Sequence, residues 1–302
     1  MNNNTMPLFF AFSDESGKYK KERSEKFISK NPYDCRATVL LEAGEWRRLR
    51  ENFDRLKKDM LGIDRRIEVK WSYIWSLYKH FQKGERVPAH KPYFSLRHHS
   101  LDTLVEFIRH VLQDLAECPS SRISLTVTFN EQERTKAVES AEIVALHLRH
   151  SLDTVEKEMK NLGGSLCVLF FNPEEPRMEK QLRKAFMEIS GRDFPRQYPH
   201  LKDSYNFELS PQSFGSHLAD FCAGVFNGCL RLYPQSIDLF RHQIWPIIMN
   251  KKNRVLGYGI SEIPKNQKNR AFLKKTLKRI FDARDRDYRV SLEERLRSKG
   301  RD

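Results

Sequence analysis

Three acidic residues stand at the edges of apolar stretches. Asp14 ends Phe9-Phe10-Ala11-Phe12-Ser13, Glu68 lies in Ile67-Glu68-Val69-Lys70-Trp71-Ser72, and Asp220 lies in Leu218-Ala219-Asp220-Phe221-Cys222-Ala223-Gly224. A carboxylate in such surroundings is costly to bury unless a basic side chain or a metal ion balances it. Asp220, flanked by Leu, Ala and Phe on a core-like helix, is the clearest case, and both partners are open to it. Asp14 begins Asp14-Glu15-Ser16-Gly17. This tetrad reads either as the end of a buried strand that delivers carboxylates to a site or as ordinary turn composition.

The elements that must carry these acids follow from periodicity. The run Phe9–Phe12 predicts a strand, Lys18–Asn31 a loop or hairpin limb, and Cys35–Leu41 a second strand. Trp46, Leu49, Phe53, Leu56 and Met60 recur at steps of three and four, the stripe of an amphipathic helix that Gly62 can end. Ile67–Ser72 suits a short strand or a helix entry, with Glu68 and Lys70 on one face. Lys83–Ser100, with Pro88, Pro92, His90, His98 and His99, has loop chemistry and could form a flap. A helix over Leu101–Ala116, a strand over Ile123–Phe129, a long helix from Ala137 to Leu162 and an apolar strand over Leu166–Phe171 come next. Then follow a helix near Arg177–Ile189, a strand near Tyr205–Leu209, and a helix opened by Pro211 and Gln212 that bears His217 and Asp220. Alternating strands and helices predict an α/β layered fold around a mixed sheet.

The chain has 302 residues, 39% of them hydrophobic, enough for a sizeable core. Its formal net charge of +14 makes a polyanion the natural partner, with nucleic acid ahead of a membrane surface. The segment from Lys251 to Asp302 holds 17 Lys and Arg against 7 Asp and Glu, a surplus of 10. Within it Phe272, Leu273, Leu277, Ile280 and Phe281 can dock one helix. Tyr258, Phe272 and Tyr288, interleaved with basic residues, could stack on unpaired bases, although core packing suits Phe272 better. No stretch approaches the roughly 20 apolar residues of a membrane span, and Met1–Thr5 lacks the charged start of a signal peptide. A cytoplasmic protein is expected. The five cysteines are scattered, with no C-x-x-C pair, so free buried thiols are expected and structural zinc is not.

In order and spacing over about residues 7 to 230, Asp14–Gly17, Glu68-Val69-Lys70, and Asp203-Ser204 followed by His217-Leu218-Ala219-Asp220 with Ala223-Gly224 resemble a bacterial family. It is the domain-of-unknown-function family 3800, whose members are regarded as ribonuclease-H-like nucleases. The resemblance implies a ribonuclease-H-like α/β domain over residues 1–232, a mixed sheet flanked by helices, with a basic, mainly helical extension over 233–302. It further implies a site for Mg²⁺ or Mn²⁺ formed by Asp14, Glu68 and Asp220, serving two-metal phosphodiester hydrolysis of DNA or RNA. Lys70 would hold the scissile phosphate or offset carboxylate repulsion, and Glu15 and Ser16 would support Asp14 from behind. A setting in phage defence or a mobile element is the family's frequent association.

Two positions depart from the family pattern. His217 stands where Gln is usual, and Asn172 where an Asp is often found. The second removes a possible fourth ligand, for which Glu174 or Glu175 could substitute. His217, three residues before Asp220 on one helix face, could bind a metal, donate to Asp220 or orient it, and orientation is the expected role. His98 and His99 are weaker candidates for protonating a leaving group, and His147 and His150 are expected at the surface or the core edge. The competing functional readings are a nucleic-acid-binding protein with a decayed site, and an interaction subunit of a larger complex. A protein partner or self-association is compatible with any of the three.

Overall fold

The computed structural model describes residues 6–131, 138–172, 176–191, 193–207 and 213–282, excepting the side chains of 176–178, 203 and 205. Its centre is a mixed six-stranded sheet. The strands are β1 (Leu8–Gly17), β2 (Tyr33–Glu42), β3 (Arg122–Phe129), β4 (Leu166–Phe171), β5 (Leu201–Phe207) and β6 (Ile260–Glu262), in the order β5-β4-β1-β2-β3-β6. β1 pairs antiparallel with β2 and β2 antiparallel with β3, whereas β1–β4, β4–β5 and β3–β6 are parallel.

Side-chain alternation divides the sheet into two unlike faces. Phe12, Ala37, Val39, Leu125 and Val127 face a large core built with α2 (Ala43–Leu61), α3 (Trp71–Gln82), α4 (Leu101–Ala116), α8 (Phe214–Leu230) and α10 (Gln267–Asp282). Phe9, Ala11 and Leu40 face a second core with α5 (Ser140–Asn161) and α6 (Pro176–Ile189). Part of this second face is polar. Thr38 bonds Ser13 and Ser151, while Thr126 and Thr128 hold the two ring nitrogens of His147 at 2.6 and 2.9 Å. His147 and His150 are therefore buried and not at the surface; threonines on a strand satisfy a ring that the helix pattern alone places at an edge.

Other differences from the sequence reading are local. Ser24 accepts from the Phe27 amide and nucleates a short α1 (Glu25–Lys30) in the stretch expected to be irregular. Of the two readings of Ile67–Ser72 the helix entry holds and the strand does not: residues 62–70 form no strand, and Trp71 starts α3 directly. α8 begins at Phe214, capped by Ser213, while Pro211, Gln212 and Ala137 lie outside the described residues. Between β4 and β5 a short α7 (Phe194–Gln197) leads into the edge strand β5. Beyond residue 232, α9 (Pro234–Leu239), β6 and α10 contribute Ile237, Ile260, Leu273 and Ile280 to the first core. The five cysteines are free and buried, as expected. Among the described residues no helix is long and apolar enough to cross a membrane.

α8 organises the first face. Every residue in it is buried, which an apolar sequence on all sides of a helix requires. Gly224 leaves room for the Trp71 indole, which a Cβ would meet at 2.2 Å. At its far end Asn227 donates to the Ser16 carbonyl at 2.8 Å. Gly17, with φ +100°, lets β1 end there: a Cβ would lie 2.2 Å from the Tyr33 carbonyl oxygen and 2.8 Å from Asn227 Nδ2. Gly17→Ala should cost about 3 kcal/mol through strain and overlap together, measured as a lowered urea midpoint.

On the opposite face Asp34 titrates unusually. Burial first, and then the Glu15 charge, push its carboxyl up to about 7 against the pull of Arg36. Its folded pKa lies above the unfolded 3.8, so its contribution to stability is fully present below that value and is lost as pH rises through 7. Asp34→Asn should therefore stabilise the fold at pH 8 by on the order of 2 kcal/mol and leave it almost unchanged at pH 4. Thermal melts at the two pH values check this.

Candidate active site

β1 and α8 bring Asp14 and Asp220 to one place. Asp14 is 1% exposed and Asp220 6%. Burial, then Glu15, then Asp220 push the Asp14 carboxyl well above the usual carboxylate range, while hydrogen bonds from Asn172 and its own neighbour's amide oppose the rise. Asp14 Oδ1 accepts from the Glu15 amide at 2.8 Å and Oδ2 from Asn172 Nδ2 at 2.9 Å. Asp220 Oδ2 accepts from the Trp71 amide at 2.7 Å. The first amide of α3 thus points at the carboxylate, where a helix N-terminus favours negative charge.

Glu68 and Lys70 precede that amide. Lys70 Nζ lies 3.5 Å from Glu68 Oε1, both side chains being 15% exposed, and Tyr73 donates to Glu68 Oε2. The two side chains meet although no strand aligns them, with Lys70 offsetting a carboxylate. His217 is buried beside the same segment. Its Nδ1 lies 2.7 Å from the Ser213 carbonyl oxygen, and its ring is 5.3 Å from that of Phe53. Burial lowers its pKa to about 4, with the Ser213 carbonyl opposing, so the ring is uncharged near neutrality; Lys57, Glu68 and Lys70 are the charges that act on it.

Glu15 takes a different place from the one expected. Alternation sends its side chain to the opposite face, where Oε2 meets Arg36 Nη2 at 2.7 Å in a buried ion pair. Its support of Asp14 comes through the backbone amide. Ser16 contributes its carbonyl to Asn227. His98 is exposed and His99 half-buried after the 3-10 turn Phe94–Leu96. Ser204 lies on β5, two strands from β1. Tyr258 bonds Asn161 and Glu158, and Phe272 packs edge-on to Phe129 at 5.0 Å, which commits both aromatics to structure. Glu174, Glu175, Tyr288 and the Asp203 side chain lie outside the described residues.

Sequence reasoning missed Lys57. Its side chain is wholly buried, and its ammonium donates to the carbonyls of Arg65, at 2.7 Å, and Ile67. Burial pushes its pKa down to about 8. Lys57 thereby fixes the segment leading to Glu68. The signal was available: Leu49, Phe53, Lys57 and Leu61 are spaced by four, so a lysine occupies the apolar stripe of α2. Asn172 was legible only as a departure from the family pattern, and Tyr73 was not singled out by the sequence.

Among the described residues no three His, Cys, Asp or Glu side chains are gathered into a ligating arrangement. The donor chemistry nevertheless suits a divalent cation. Asp14 and Asp220 repel each other inside the protein, and carboxylate oxygens are the ligands that hard divalent ions prefer. The chain matches no family model, no curated protein and no solved structure.

Asn172→Asp tests this electrostatic arrangement. It would replace the amide that relieves Asp14 with a further carboxylate. The variant should melt lower than the parent in chelator at neutral pH and recover most of the difference in millimolar Mg²⁺ or Mn²⁺. Equal melting with and without the ions would show that no cation neutralises the cluster.

Proposed function

We propose that the chain is a divalent-cation-dependent nuclease that hydrolyses phosphodiester bonds in DNA or RNA. One observation carries this reading: Asp14 and Asp220, from separate elements, are buried within electrostatic reach of one another, an arrangement that calls for a cation. The resemblance of Asp14–Gly17, Glu68–Lys70 and His217–Asp220 to the family 3800 pattern supports it. The sheet also supports a ribonuclease-H-like relationship, since three antiparallel strands, β3-β2-β1, are continued by parallel β4 and β5.

In this mechanism Asp14 and Asp220 would hold Mg²⁺ or Mn²⁺, and Glu68 would join them from the segment that Lys57 anchors. When bound, the ions activate water and stabilise the leaving oxygen. The Trp71 amide and the Asn172 side chain orient the two aspartates. Lys70, now 3.5 Å from Glu68, would hold the scissile phosphate. Lysines and arginines on α10, among them Lys268, Lys274, Lys275 and Lys278, supply affinity for the polyanion without reading sequence.

A second reading, a nucleic-acid-binding protein with a silent site, is favoured by Asn172, whose amide occupies Asp14 Oδ2. Labelled DNA and RNA separate the two. The nuclease reading expects chelator-sensitive cleavage that falls by more than about a hundredfold in Asp14→Ala and Asp220→Ala. Cleavage unchanged in both variants would remove this site from the chemistry. Absence of cleavage together with binding that weakens steeply with salt would establish the second reading.

A further inference from the structure

The surface beside Glu68 carries a charge that the protein does not balance by itself. From Lys70 to Ser100 the chain holds six Lys and Arg against one acid, Glu85, which His80 and Lys83 already contact. Elsewhere basic side chains pair with acidic neighbours: Arg48 with Glu45, Arg66 with Asp64, Arg109 with Asp238 and Arg183 with Glu179. Among the described residues Lys79, Arg86, Lys91 and Arg97 form no such pair. Uncompensated cations grouped on one segment attract a polyanion.

The same segment offers flat apolar faces and is joined to the candidate site by contact. Phe81, between Lys79 and Lys83, is 41% exposed, the one aromatic among the large hydrophobic side chains that stand exposed in the described residues. The Arg97 guanidinium lies 3.7 Å over the Phe94 ring and donates to the Phe94 carbonyl at 2.9 Å, which fixes it there. Planar groups of both kinds take up unstacked bases. Phe94 follows Tyr93, whose ring packs on Tyr73 at 5.6 Å and on His80 at 6.1 Å. Tyr73 in turn donates to Glu68, and Lys70 lies beside that carboxylate. A continuous series of contacts therefore runs from the basic segment to Glu68 and Lys70.

We propose that α3 and the 83–100 segment form a track that holds a single-stranded nucleic acid, DNA or RNA, and leads its backbone to Lys70. A duplex stacks its bases on one another and shows a surface ring little besides sugar and phosphate. An unpaired strand offers both phosphates for the cations and base faces for Phe81 and Arg97. The proposal rests on the phosphodiester reading of the previous section for the chemistry at the end of the track, and it adds the strandedness of the substrate.

The test uses the full chain in chelator with labelled DNA and RNA strands of about 20 nucleotides, longer than a typical single-strand site, and with the matching duplexes. By fluorescence anisotropy the tighter of the two single strands should bind at least about tenfold better than its duplex, and Phe81→Ala should weaken that binding about fivefold while leaving duplex binding unchanged. Ultraviolet crosslinks from 4-thiothymidine or 4-thiouridine placed in the strand should map to peptides within Lys70–His99. Equal affinity for strand and duplex, or crosslinks confined to other parts of the chain, would overturn the track. Crosslinking within the track by a chain that cleaves nothing in Mg²⁺ or Mn²⁺ would keep the track and sink the nuclease reading, whereas cleavage by a chain that crosslinks only elsewhere would do the reverse. A chain that binds neither strand nor duplex would overturn both. The crosslinking uses the parent protein, so the location of the strand is decided whether or not Phe81→Ala folds.

Discussion

Like charges buried in one core repel with little water to screen them, and the arrangement around Asp14 and Asp220 is a response to that repulsion. Asp14 receives two donors from the protein, one from its own strand and one from the residue just after β4. Asp220 receives the first amide of α3. Holding these donors in place requires β1 beside β4, α8 across β1 and β2, and the 62–70 segment tied down so that α3 starts where it does. Lys57 makes the last of these possible: its buried ammonium, satisfied by two carbonyls, constrains the approach to Glu68 and Trp71.

Much of the fold could be read from the chain because burial writes a period into it. The stripe Trp46 to Met60, the continuous apolar run of β4 and the alternation in β3 each predicted the right element close to its observed bounds. What escaped was decided by contacts between distant residues. Nothing near His147 announces that Thr126 and Thr128 will receive it, and nothing near Tyr258 announces Glu158. α1 depends on a single capping serine in a charged stretch with no apolar stripe.

The candidate site was legible in part for the same reason. Acids at the ends of apolar runs stand out locally, so Asp14, Glu68 and Asp220 could be named, and Lys70 followed from its spacing to Glu68. The residues that condition them were harder to see. The amide of Trp71 has no side-chain signature, and Asn172 drew notice as a missing carboxylate before its hydrogen bond to Asp14 gave it a role. Glu15 shows the limit of adjacency in sequence. Next to Asp14 in the chain, it belongs to the other side of the sheet.

That opposition between Asp14 and Glu15 bears on how the chain finds its register. A slip of one residue in β1 would exchange the two carboxylates. The slipped strand would set Glu15 against Asp220, turn Asp14 toward Arg36 from a shorter side chain, and carry Gly17 away from the Tyr33 carbonyl and Asn227 that only a glycine can approach so closely. The misaligned pairing would thus lose its ion pair, its acid donors and its turn at once. The charged end of β1 proofreads the strand, and the residues that give this edge its chemistry also exclude the nearest wrong fold.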